Sequence, residues 1–127
     1  MPVVAERPGV RPSQEVVLTK AVLSAADKLA VNQAALALTL GVSEAQVSRM
    51  RKGAAALQAK TKEFELGVLF VRLFRSLDTI VGGDEAVARA WLANHNLALE
   101  GKPTEKIRTI AGLTDVIAYL DASRSAI

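Results

Sequence analysis

The sequence predicts an all-α fold of two lobes: an N-terminal helix-turn-helix followed by a second helical lobe for partner binding or dimerisation. Three observations lead there. Residues 33–53, QAALALTLGVSEAQVSRMRKG, read as two short helices joined by a tight turn. Residues 63–81 are apolar on more than one helical face. All of the chain's surplus positive charge lies at or before Gly53, where seven basic residues face four acidic ones; the rest of the chain carries nine of each. The predicted division is a flexible leader over 1–12, a helix-turn-helix domain over 13–60 and a second helical domain over 61–127.

Residues 1–12 hold Pro2, Pro8, Gly9 and Pro12 with no apolar period, as expected of a leader. Arg7 and Arg11 could form an arm against DNA, although a solvated tail is the simpler reading. Ser13 is the N-cap of a first helix whose apolar stripe is Leu18, Val22, Ala25 and Leu29. Asn32 caps the next helix, 33–40. At its first turn the Gln33 amide and the free backbone N–H groups can meet a phosphate.

The next few residues carry the functional reading. Ala37 is small where two helices cross closely. Gly41 sits at the turn, where a left-handed backbone penalises a residue with a Cβ. Val47 falls on the inner face of the second helix, and Met50 lies three residues on. Ser43 and Gln46 have the spacing of a capping box. Gly53 stops the helix after Arg49, Arg51 and Lys52. A small residue, a turn glycine and an apolar clamp at these offsets are what a DNA-reading helix-turn-helix needs. An ordinary helical hairpin explains each residue singly but not the capped, basic second helix as well. With Val47 inward, Glu44, Ala45, Ser48 and Arg49 face out. The expected DNA-binding set is therefore Gln33, Ser43, Glu44, Ala45, Ser48, Arg49 and Lys52. Arg49 leads it, because a guanidinium can bond both acceptors of a guanine edge. Glu44 could accept from a cytosine amino group or simply favour a helix N-terminus. Gln46 is expected to be spent on capping, and Arg51 on phosphate or on a solvated face.

Residues 54–62 are helix-compatible and link the lobes. In 63–81 the three phenylalanines Phe64, Phe70 and Phe74 concentrate the aromatic content. A helix this apolar is either the centre of a core or shared with a second copy of the chain. Gly82 and Gly83 end it. Asp84 caps the following helix, with Val87, Ala90, Trp91 and Leu92 expected inward and Trp91 as a core anchor. Phe64, Phe70, Phe74 and Trp91 are thus the expected core or dimer residues. His95, the chain's single histidine, reads as a turn residue. Residues 97–103 form a loop punctuated by Gly101 and Pro103. Thr104 and Glu105 open a short helix holding Ile107 and Ile110, which Gly112 stops. Thr114 and Asp115 begin the last helix, with Val116, Ile117 and Leu120 apolar, and a polar tail follows.

Composition narrows the function classes. With no cysteine there are no disulfides or thiolate metal sites. One histidine, no glycine-rich phosphate loop and no tight carboxylate pair argue against an enzyme, and no cofactor or metal is expected. No apolar run is long enough for a bilayer and no secretory signal is apparent, so a cytoplasmic location and no membrane partner are expected.

In the second lobe, Trp91-Leu92, Asn96, Leu97-Ala98-Leu99, Gly101, Pro103, Thr109, Gly112, Val116 and Leu120 resemble the toxin-binding domain of the Xre/MbcA/ParS-type antitoxins over roughly residues 64–122. A helix-turn-helix ahead of that domain is the family's usual order. Among the departures, His95 rather than Pro precedes Asn96, and Glu100 stands where the family often has a second glycine. Lys106 and Ile107 replace a more apolar pair. The resemblance implies an antitoxin of a type II toxin–antitoxin pair. Its partner would be a RES-domain toxin that consumes or transfers from NAD, and as a homodimer it would repress its own operon on double-stranded operator DNA. It also directs attention to the loop residues Leu99, Glu100 and Lys102, and to Asp121, Arg124, Ser125 and Ile127 in the tail, as the toxin contacts. The alternative is a stand-alone dimeric helix-turn-helix regulator.

Overall fold

A computed structural model describes residues 13–125; the expectations for the leader, including Arg7 and Arg11, and for Ile127 lie outside the described residues. The described chain is all-α: α1 (Gln14–Leu29), α2 (Gln33–Leu40), α3 (Glu44–Arg51), α4 (Lys62–Ile80), α5 (Glu85–Ala93), α6 (Pro103–Lys106) and α7 (Ile110–Ser125). Five of these helices begin on a side-chain cap. Ser13, Asn32, Ser43, Thr61 and Asp84 each accept from the backbone N–H three residues on, satisfying one orphan donor of the first turn.

The long helix α4 lies between α1 and α7 and packs most extensively on those two. Phe70, Leu73 and Leu77 of α4 are fully buried. They join Val22 of α1, Leu36 and Leu40 of α2, and Leu113, Val116 and Leu120 of α7 in one continuous core. Gly67 allows the approach to α1, since a Cβ there would stand 2.9 Å from Leu57 Cδ1 and 3.3 Å from Val22 Cγ2. One ion pair joins α4 to α7, Arg72 to Asp121, and Arg124 approaches the same carboxylate from within α7.

Five local expectations are corrected. Residues 54–62 are not helical until Lys62, because α1 takes up the segment's backbone donors. The Leu57 N–H donates to Thr19 Oγ1 at 2.9 Å and the Ala59 N–H to Glu15 Oε2 at 2.7 Å, while Ala56 and Leu57 are buried. In α5 the inward residues are Ala88 and Leu92; Val87 and Ala90 are exposed, and Trp91 is half-buried against Tyr119, their ring centroids 6.2 Å apart. Gly112 does not stop a helix but lies in the first turn of α7, its N–H donating to Thr109 Oγ1 at 3.0 Å. α6 is a single turn with Pro103 at its start, and Ile107 beyond it is fully buried. The polar tail is in fact the last turn of α7 as far as Ser125.

Candidate functional site

The helix-turn-helix is assembled by short-range bonds between its own residues. Gly41 takes φ +73°, and its N–H and that of Val42 both donate to the Ala37 carbonyl, at 2.9 and 3.0 Å. The turn then swings α3 across α2, burying Val47 and Met50 against Leu36, Ala37 and Leu40. Gln33 Nε2 donates to the Glu44 carbonyl at 3.2 Å, which ties the start of α2 to the start of α3. The N-termini of both helices are therefore held together on one side of the molecule, where their first-turn N–H groups favour an anion.

The outer face of α3 carries Glu44, Ala45, Arg49 and Lys52 exposed, with Ser48 half-buried. Ser43 Oγ accepts from the Gln46 N–H at 3.0 Å, which is half of the expected capping box. The other half does not form. Gln46 Oε1 instead accepts from Arg49 Nε at 3.2 Å and Nη2 at 2.8 Å. A guanidinium one turn along is a stronger donor than a backbone amide, so the glutamine turns to it. Two of the three guanidinium nitrogens of Arg49 thus meet Gln46 on the exposed face of α3. Arg51 lies on an exposed face as well, and its Nη2 pairs there with Asp27 Oδ1 of α1 at 2.9 Å, bracing α3. Beyond it the helix ends where the Gly53 N–H reaches the Met50 carbonyl and the Ala54 N–H that of Arg49.

The second lobe presents a closed loop. Asn96 and Gly101 exchange backbone hydrogen bonds at 2.9 and 3.2 Å, and Asn96 Oδ1 accepts from the Leu99 N–H at 3.0 Å. Glu100 takes φ +57°, a left-handed backbone that favours glycine. The loop turns Leu99 inward, 8% exposed, so Leu99 is a core residue rather than a surface contact. Leu97, two residues earlier, is 86% exposed, a surface leucine that belongs to the family-like pattern but was not among the expected contacts. Glu100 and Lys102 are exposed beside it. Of the expected tail residues, Arg124 and Ser125 are exposed. Asp121 is half-buried and serves as a tie, accepting from Ser76 at 2.9 Å and from Arg72. Of the expected core or dimer residues, Phe70 is fully buried, while Phe64, Phe74 and Trp91 are partly buried. Lys28 covers the ring of Phe74 at 5.5 Å.

Residues 9–72 match the family model of the antitoxin Xre-like helix-turn-helix domain, and residues 76–125 match that of the antitoxin Xre/MbcA/ParS C-terminal toxin-binding domain. The chain belongs to the Xre-like antitoxins. No curated protein matches it. As a member of this antitoxin family the chain pairs a DNA-binding motif with a lobe for a toxin partner. The two matches meet within α4, the helix shared by both halves of the core. Among the described residues no group of acidic, His or Cys side chains could hold a metal ion, and no helix is long and apolar enough to cross a membrane.

Proposed function

We propose that this antitoxin neutralises a RES-domain, NAD-consuming or ADP-ribosylating toxin by occluding its active site, and that as a homodimer it represses its own operon. In this reading residues 13–60 bind DNA and residues 61–127 bind toxin. The chain catalyses nothing itself and works in the cytoplasm, at the nucleoid when on its operator. The toxin contacts are Glu100, Lys102, Arg124 and Ser125, with Ile127 beyond them and exposed Leu97 as the apolar member of the loop. A dimer presents two α3 helices to an inverted repeat with half-sites roughly 34 Å apart, or a multiple of it.

The observation that carries the DNA half is Arg49, fixed by Gln46 on the exposed face of a braced α3. A fixed guanidinium loses little freedom on meeting a base, which favours readout over loose phosphate contact. Arg49→Ala is expected to weaken operator binding by roughly 1–3 kcal/mol and to relax one base position. Gln46→Ala should relax the same position and have no further effect once Arg49 is gone. Binding titrations on the operator and on single-base variants read both. An equal loss on unrelated DNA would instead make Arg49 a phosphate contact. For the toxin half, co-expression with the adjacent gene product and measurement of the mass of the complex is the direct test. Absence of a complex would leave the stand-alone regulator.

A further inference from the structure

We infer that the cleft between α1, α4 and the end of α7 seats an apolar segment of the toxin that carries a carboxylate. This rests on the antitoxin reading and extends the toxin-binding surface beyond the second lobe, onto the first helix of the DNA-binding lobe.

The cleft has a volume of about 500 Å³. Its floor and walls are Val17 and Leu18 of α1 with Phe64, Val68 and Val71 of α4. Val17 is 52% and Val68 45% exposed, so two of the large hydrophobic side chains left open to solvent stand in one groove. Apolar surface gathered in a concave site marks a place for a partner.

Charge selects the occupant. Arg72, Arg75 and Arg124 line the cleft, and among the described residues no acidic side chain lines it. Asp121 accepts from Arg72 and stands 3.7 Å from Arg124, so one carboxylate serves two guanidiniums. Arg75 is exposed and has no ion pair among the described residues. An occupant that buries two or three aliphatic or aromatic side chains and ends on an Asp or Glu meets every group of the site. A second copy of the same cleft brings no carboxylate of its own lining to these arginines, since the lining is apolar and basic. The walls also explain what such an occupant would do. It would touch α1, which Arg51 and Asp27 tie to α3, and it would touch α7. Toxin and DNA would then act on one set of packed helices.

The test is calorimetric titration of the intact chain with the toxin encoded beside it. Val68→Glu and Arg75→Glu should each weaken toxin binding by at least about tenfold. Both positions are solvent-exposed, so the thermal midpoint and far-UV circular dichroism should stay as in the parent. If Val68→Glu fails to fold, Arg75→Glu carries the test alone. Parent-like toxin affinity in the folded variants would overturn the inference while leaving the antitoxin reading intact. Loss of a homodimer with unchanged toxin affinity would overturn it in favour of a second copy. A parent chain that binds no toxin would remove the antitoxin reading and this inference with it.

Discussion

A Cβ on Gly112 would stand 1.9 Å from the Lys106 carbonyl oxygen and 2.7 Å from its carbon. Both contacts are with backbone, so no side-chain rotation relieves them. The first turn of α7 therefore rests directly on the last residue of α6, and Thr109 holds it there through its hydroxyl. Gly112→Ala is expected to destabilise the protein by about 3 kcal/mol, as a forced backbone shift in a packed core does. Urea unfolding of the purified variant measures this, and a change below about 1 kcal/mol would mean the turn can open without cost. The sequence alone points to the wrong reason for this glycine. A glycine amid helical residues usually signals a stop, through its freedom at positive φ. Gly112 has no positive φ; only its small size is used. Gly41 is the opposite case: its role in the turn was legible because the requirement is local to the four residues around it. Arg49 lies between the two. Its position on the outer face followed from Val47, but its bond to Gln46 depended on a choice between two acceptable partners for one amide.

At the scale of elements, caps were legible and faces less so. Ser13, Asn32, Ser43 and Asp84 cap the helices they precede because a cap needs only its own next three residues. The inward face of α5 was misjudged because Ala88 is small and Val87 and Trp91 are large. Helix–helix packing against α1 and α4 wanted the small residue inside. Likewise, the link 54–62 has helical composition, yet Thr19 and Glu15 lie more than thirty-five residues away in sequence and were invisible as its partners. The tie between α4 and α7 makes a prediction of its own. Burial pushes the Asp121 carboxyl up; the hydrogen bonds from Ser76 and Arg72 and the charges of Arg72 and Arg124 together outweigh it and hold it below the usual carboxylate value. A carboxylate lowered by folding contributes its stability in full above the unfolded value, about 3.9, and loses it as pH falls through the lower folded value. Asp121→Asn should therefore lower the thermal midpoint at neutral pH, by about 1 kcal/mol of stability since the pair is partly solvated. The two proteins should converge in acid below the usual carboxylate value. A constant gap down to the lowest pH would mean that the ionised form of Asp121 contributes nothing.

For the molecule as a whole, α4 decides whether two functions mean two folding units. The sequence left two readings of its broad apolar surface, a central helix or a helix shared between copies. Within the chain, α1 and α7 cover most of that surface, leaving Val68 exposed. Phe70, Leu73 and Leu77 are contacts of a single core that also holds Val22, Leu36 and Val47 from the front and Leu92, Val116 and Leu120 from the rear. Neither half can lose α4 and keep its apolar face covered, so the described helices should unfold as one cooperative unit. Trp91, the chain's one tryptophan, stacks on Tyr119 and reports the rear half by fluorescence. Far-UV circular dichroism reports every helix. The two unfolding curves are expected to coincide. The sharper form of the test uses Val22→Ala, a fully buried change in α1 with an expected cost of about 2 kcal/mol. In a shared core that cost falls on the Trp91 signal as fully as on the dichroism. A Trp91 midpoint that stays at its parent value while the dichroism shifts would mean that the rear lobe stands without the front. Coincident shifts would mean that a toxin seated on α7 and a duplex lying on α3 grip the same folded unit, which is the physical condition for either to influence the other.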